Sequence, residues 1–166
     1  DIIKEAIKKK IHIFCEKPVT KSYKQISQIC DLVKKKNICH FVNFEFPKIK
    51  AFKFFKRSIL KKIKINKITV DWFIKIPKQK RSSWKNIHAK GGGVFYNYIC
   101  HSLYYLEYLF GDIVIKKSIN NPKKNPSKLK INFYNKDKNI NINLNFQILP
   151  IYSKKKPIHR IKILSN

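Results

Sequence analysis

All four glycines of this 166-residue chain lie between positions 91 and 111, as the triplet Gly91-Gly92-Gly93 and as Gly111. Three consecutive glycines let backbone approach a ligand or a neighbouring strand with no Cβ in the way. A helix is expected from about Phe95 to Phe110, stopped by Gly111. At about 100° per residue such a helix has two faces. Phe95, Ile99, Leu103, Leu106 and Phe110 fall on one and are expected in the core. Asn97, His101, Tyr104 and Tyr108 fall on the other, a hydrogen-bonding stripe that starts just beyond the glycines. Taken alone, the stripe reads equally as a half-exposed amphipathic surface with His101 merely hydrogen-bonded.

The pacing before the glycines differs from the pacing after them. Ile3, Ala6 and Ile7 suggest the end of an amphipathic helix, followed by a short strand-like run from Ile11 to Phe14. Ser22 and Gln25 form a capping-box pattern ahead of Ile26, Ile29, Cys30 and Val33, so a helix is predicted to about Lys36. A second buried-type strand, Ile38 to Phe44, follows. Helix, strand, helix, strand is the signature of a parallel α/β sheet, in which loops after the strand carboxyl ends hold ligands. Glu16, Lys17 and the segment from Asn43 to Phe46 lie at such ends. After Pro47, the positions Phe52, Phe55 and Ile59 give one more helical face, to about Leu60. Beyond it, Ile65 to Ile76, Ile113 to Ile119, Leu129 to Tyr134, Ile140 to Ile148 and Ile158 to Leu164 read as strands. Apart from the glycine-led helix, turns alone separate them, with the Lys/Asn stretch 120–128 as one such turn, which predicts an antiparallel meander. The expected fold class is therefore α/β: the end of one α/β domain over 1–46, then an α+β domain with an open, mostly antiparallel sheet over 47–166.

Composition limits the function classes. The 38 Lys+Arg against 9 Asp+Glu give +29 at pH 7, yet the hydrophobic fraction is 43% and the aromatic fraction 13%, so this is no disordered basic tail. Of the basic residues 35 are Lys and 3 are Arg, alongside 28 Ile and 15 Asn. All three abundant types have A/T-rich codons, and dedicated nucleic-acid modules lean on Arg for bidentate contacts. Compositional drift accounts for the charge better than a specific nucleic-acid function does, although a +29 surface attracts polyanions whatever its origin. The apolar runs are too short to cross a bilayer, and no membrane partner is expected. The four cysteines show neither CxxC nor Cys/His ligand spacing, so no metal site is expected, and a reducing, cytoplasmic compartment fits. The absence of Met and the first residue, Asp1, suggest a fragment.

Four segments, HIFCEKPVTKS (12–22), VNFEFP (42–47), SSWK (82–85) and GGGVFYNYICHSLYYLEYLFG (91–111), occur in an order and separation that resemble the Gfo/Idh/MocA oxidoreductases. That resemblance implies an N-terminal Rossmann domain that binds NAD or NADP, followed by an α/β domain on an open sheet. It implies that Lys17 lies near the nicotinamide and hydrogen-bonds the reacting hydroxyl, and that His101 accepts the proton. A neutral imidazole, with a reference pKa of about 6.5, suits that task, and a nearby ammonium would hold it deprotonated. It further implies cofactor contacts from Glu16, Lys17, Pro18 and Asn43, and substrate contacts from Lys17, Trp84, Asn97 and His101. The substrate implied is a sugar or nucleotide-sugar, and the intact protein is expected to be a homo-oligomer.

The chain departs from the family pattern at three positions. Asn97 stands where the family often has Asp, Ile99 where it has Gly, and Tyr104 where it has Asp. Asn97 can hold a substrate hydroxyl but cannot take a proton. A non-catalytic relative and a basic polyanion-binding module are the alternatives. The chain carries no GxGxxG, which the family places in its first βα turn, so this stretch alone is expected to bind nicotinamide cofactor poorly. Sequencing upstream of Asp1 should reveal a glycine-rich βα turn within about 100 residues. An open frame without one would sink the oxidoreductase reading.

Overall fold

The computed structural model describes residues 2–76, 84–120 and 127–165. Arg81, Ser82, Ser83 and most of the 120–128 turn lie outside the described residues. The chain divides into two compact units, Asp1–Glu45 and Phe46–Asn166.

In the first unit, helix α1 (Ile2–Lys8), strand β1 (Ile13–Glu16), helix α2 (Tyr23–Lys35) and strand β2 (His40–Asn43) follow one another. The two strands pair in parallel, with Ile13 opposite His40 and Glu16 opposite Asn43. The predicted cap at Ser22 forms in part. Its hydroxyl accepts from the Gln25 amide at 3.5 Å. The Gln25 side chain accepts from Thr20 Oγ1 at 2.8 Å instead of reaching back to Ser22, whose own amide donates to the same threonine hydroxyl. Ile7, Val33 and Ile38 form the small core of this unit. Phe14 and Phe41 stack at 5.4 Å on one face of the strand pair.

In the second unit, a short helix α3 (Lys50–Phe54) passes into a π turn at Phe55–Ile59. The single helix expected to Leu60 is thus a composite; Phe52 and Phe55 pack on the core, and the Ile59 side chain lies outside the described residues. Strand β3 (Ile65–Lys75) comes next. The glycine-led helix follows as a π turn, Phe95–Ile99, running into α4 (Cys100–Phe110). Strands β4 (Val114–Ile119), β5 (Lys128–Asn135), β6 (Ile140–Leu149) and β7 (Ile158–Ser165) complete a five-stranded sheet in the order β4-β5-β6-β3-β7. Strands β4, β5 and β6 form the antiparallel meander expected from their turns. The meander stops there: β3 pairs parallel to β6 and antiparallel to β7. The free edge of β6 is taken by the strand that enters before α4, and residues 150–157 carry the chain past it to the far edge.

Alternation decides which face is covered. Ile68 and Val70 of β3, Leu129, Ile131 and Phe133 of β5, and Ile142, Leu144 and Phe146 of β6 point to one side and are buried with Tyr105, Leu106, Leu109 and Phe110 of α4. Burial at this level contributes about 1.5–3 kcal/mol per large apolar side chain. Gly111, at φ 89, ends α4. The buried Asn135 amide then donates to the carbonyls of Phe110 at 3.1 Å and Asp112 at 2.7 Å, so the helix end is closed by the β5–β6 hairpin. On the other face, Asp71 is held by Asn145 (2.9 Å), Arg160 (3.2 Å) and Lys162 (3.5 Å). Burial pushes its carboxyl up, but these three partners outweigh burial and leave it below the usual carboxylate range.

His159 lies on the edge strand β7 and is exposed as a residue, yet its ring stacks on Trp72 at 4.4 Å and meets the edge of Phe46 at 5.2 Å. Its Nε2 shares a 3.0 Å hydrogen bond with the Tyr105 hydroxyl. Loss of water around the ring lowers the His159 pKa. Near pH 6.5 the unfolded chain therefore binds more protons at this residue than the folded one, and stability rises with pH. Its contribution is complete above the unfolded value of about 6.5 and is lost as pH falls from there towards the lowered folded value. Urea denaturation between pH 8 and 5 should show stability declining below about pH 6.5, with a shallower decline in His159→Phe. An unchanged decline in that variant would assign the effect to other groups.

Candidate active site

In the first unit the strand ends present a polar edge. Glu16 closes β1 and Asn43 closes β2, and because the strands are parallel and in register their side chains meet, Asn43 Nδ2 donating to Glu16 Oε1 at 2.7 Å. Lys17 and Pro18 follow, half-buried and joined by a cis peptide bond. Beyond such carboxyl ends is where open parallel sheets hold ligands. These residues fit one edge of a dinucleotide site. They do not include the turn that cradles a pyrophosphate, since no glycine precedes Gly91.

In the second unit the glycine triplet does what its composition suggests. Gly91 and Gly93 have φ values of 84 and 80, in the left-handed region. Gly92 is buried against a turn at Trp84–Asn86: a Cβ there would overlap the Trp84 carbonyl oxygen and lie 2.5 Å from the carbonyl carbon and oxygen of Lys85. The Asn97 side-chain amide donates to the same Lys85 carbonyl. Trp84 itself projects from this turn and is 49% exposed.

The expected core face holds at Ile99, Leu106 and Phe110, and the pattern departs from expectation elsewhere. Val94 and Ile99 are both buried and five residues apart, the spacing of the i→i+5 bonds of the π turn, and burial then continues at Ser102, Tyr105, Leu106, Leu109 and Phe110. Phe95 and Leu103, expected in the core, are only partly buried. His101, expected on the polar stripe, is 8% exposed. Tyr104 keeps the predicted exposure and Tyr108 is intermediate. The wider turn inserts one position into the pattern, which constant helical spacing does not register.

The His101 imidazole packs against aromatic rings, edge-on to Phe46 at 5.4 Å and to Trp72 at 6.4 Å. Tyr98 abuts Trp72 at 5.9 Å, and burial pushes its hydroxyl pKa up. Rings on two sides restrict the imidazole to few orientations, as a proton acceptor with a defined line of approach requires. Three members of this cluster, Phe46, Trp72 and Tyr105, were not singled out as site residues by their sequence positions. Neither was His159. The signal available for His159 is parity, since it falls in register with the inward-facing Ile161 and Ile163. Residues 16–18 and 43 come together in the first unit; Trp84, Asn97 and, one helical turn on, His101 belong to the second.

Comparison with known proteins bears on both units. Residues 60–147 match the model described as "Oxidoreductase family, C-terminal alpha/beta domain", and residues 1–44 match "Oxidoreductase family, NAD-binding Rossmann fold". The chain is 31% identical over 114 residues to 2,7-anhydro-N-acetylneuraminate hydratase of Escherichia coli K12, covering 66% of this chain and 30% of that protein. Among solved structures, the WlbA (WbpB) dehydrogenase of Thermus thermophilus, in complex with NAD and alpha-ketoglutarate, superposes with a TM-score of 0.81 at 15% identity, over 99% of this chain and 55% of that one. The WlbA dehydrogenase of Bordetella pertussis, in complex with NADH and UDP-GlcNAcA, does so at 0.77 and 16%, over 99% and 54%. The chain thus spans about half the length of those dehydrogenases. With both of its units matched in order by the family's two domain models, the chain belongs to the Gfo/Idh/MocA oxidoreductase family.

Proposed function

We propose that the full-length protein is an NAD(P)-dependent oxidoreductase that moves hydride between the nicotinamide cofactor and a hydroxyl or keto carbon of a sugar or nucleotide-sugar. The observation that carries this reading is His101, buried and oriented by Phe46 and Trp72 on the helix that follows the glycines. Lys17, after the carboxyl end of β1, hydrogen-bonds the reacting hydroxyl, and its charge polarises that oxygen. The hydroxyl proton passes to a ring nitrogen of His101. The nicotinamide, when bound, supplies the acceptor or donor of hydride. Glu16, Pro18 and Asn43 contact its nicotinamide end, and Trp84 offers an aromatic face on which a sugar ring stacks.

In the full-length protein, Lys17→Ala and His101→Ala should each lower turnover by about 10²–10⁴-fold, followed by nicotinamide absorbance over a panel of sugars and nucleotide-sugars, with the far-UV spectrum retained. Wild-type turnover in either variant removes that residue's role.

The face of the five-stranded sheet opposite α4 supports a second reading, polyanion binding. By register it carries Lys67, Lys117, Lys128, Lys130, Arg160 and Lys162, and Asp71 is the only acidic residue in the described strands of this sheet. Pairing of two copies through this face, the homo-oligomer that goes with the first reading, sets like charges against each other. Salt discriminates, since raising it from about 50 to about 500 mM screens that repulsion and should strengthen self-association in sedimentation runs. Binding of a labelled single-stranded nucleic acid that is tight at low salt and falls steeply over the same range would favour the second reading.

A further inference from the structure

We propose that Asn97 is a positioning residue: its side-chain amide clamps the Trp84–Asn86 turn onto the start of the glycine-led helix and thereby fixes Trp84, instead of contacting substrate. A side-chain bond and a close backbone approach converge on the Lys85 carbonyl. The Asn97 Nδ2 donates to the Lys85 carbonyl, and the buried Gly92, lacking a Cβ, lets the helix entry close onto the Trp84 and Lys85 carbonyls. Backbone bonds also hold the turn: Ile87 N to Trp84 O at 3.0 Å, Lys90 N to Ile87 O at 3.0 Å, and Gly92 N to Ile87 O at 3.0 Å. Trp84–Asn86 and His88–Lys90 are two successive short turns, and a side-chain donor that ties them to the helix opposes their opening.

The role demands an amide. A carboxylate of the same size has acceptors only, so aspartate at this place would face the Lys85 carbonyl with no proton to give and would repel it. Alanine removes the donor without adding charge. Asn97 lies four residues before His101, one turn away on the same helix. Loosening it therefore displaces the Trp84 turn, whereas the His101 packing against Phe46 and Trp72 rests on other contacts.

The test uses native-state hydrogen exchange on the full-length protein, together with 5-fluorotryptophan spectra in which Trp84→Phe assigns the Trp84 resonance. Asn97→Asp should accelerate exchange at the Ile87, Lys90 and Gly92 amides by about tenfold or more and shift the Trp84 resonance. Exchange at Tyr105 and Leu106 and the Trp72 resonance should stay as in wild type. Asn97→Ala should act in the same direction but less strongly, and it takes over the test if the aspartate variant does not fold. Gly92→Ala, which crowds the same peptide from the other side, should loosen the same three amides. Unchanged exchange in both Asn97 variants overturns the clamp. A rise in KM for the sugar with exchange and the Trp84 resonance unmoved also overturns it, because it makes Asn97 a direct substrate ligand. The positioning role deepens the proposed function, but exchange is read without turnover: a protein with no dehydrogenase activity and the expected exchange pattern would refute that function and leave the clamp standing.

Discussion

The second unit depends on one helix being fixed at both ends across one face of a sheet. At its far end the buried Asn135 amide takes the carbonyls of Phe110 and Asp112, beside Gly111. At its near end the Asn97 amide takes the carbonyl of Lys85, beside Gly92. In each case a side-chain amide takes a carbonyl beside a glycine: Gly92 lets backbone come close, and Gly111 supplies the left-handed φ that ends the helix. Between these ends the apolar stripe of α4 needs only to match the inward columns of β3, β5 and β6. A helix free at its far end would still bury that stripe but could slide over a sheet face of Ile, Leu and Phe, whereas loosening at the near end releases the Trp84 turn.

His101 follows the π turn by two residues. With regular α-helical spacing from Phe95, His101 falls beside Asn97 and Tyr104 on a half-exposed stripe. Ile99, Leu106 and Phe110 are buried as that spacing expects, burial extends beyond them to Val94 and Ser102, and His101 lies among Phe46 and Trp72. An inserted residue of this kind is where helices often depart from regularity near functional groups. Just beyond it, within the regular α4, His101 is held by rings on two sides.

Much of this architecture was legible in the sequence because it rests on local rules. The α2 cap at Ser22, the stop at Gly111 and the alternating strands β5 and β6 are each specified by a few neighbouring residues, and each appears where expected. What the sequence withheld is non-local or a matter of one position. That β3 would run parallel to β6 depends on which edge of the meander remains free, and no spacing within β3 records it. The shift at Phe95–Ile99 depends on how the glycine entry seats against Trp84 and Lys85, contacts that bring together residues seven to twelve positions apart through an irregular segment. Glu16, Lys17 and Asn43 were readable as strand-end residues, but the bond between Glu16 and Asn43 needed the register of two strands.

The lysine content acquires a structural meaning once the core is located. A chain with 35 lysines in 166 residues has on average one every five, yet none lies between Lys90 and Lys116 or between Lys138 and Lys154. The first gap spans the glycine triplet and the helix across the sheet, and the second spans the central strand β6. A lysine at those inward positions would bury a charge with no partner, at a cost of several kcal/mol, whereas on the solvent faces of the other elements it costs little. In strand β6 the outward positions are filled by Asn141, Asn143, Asn145 and Gln147, neutral amides that hydrogen-bond without adding to the charge of the lysine-bearing strands on either side. Asn145 in turn supports Asp71, which draws Arg160 and Lys162 onto one carboxylate. The basic drift has therefore spread wherever side chains reach water and stopped where packing or like-charge repulsion forbids it. The two long stretches it left free of lysine hold the helix that bears His101 and the central strand of the sheet.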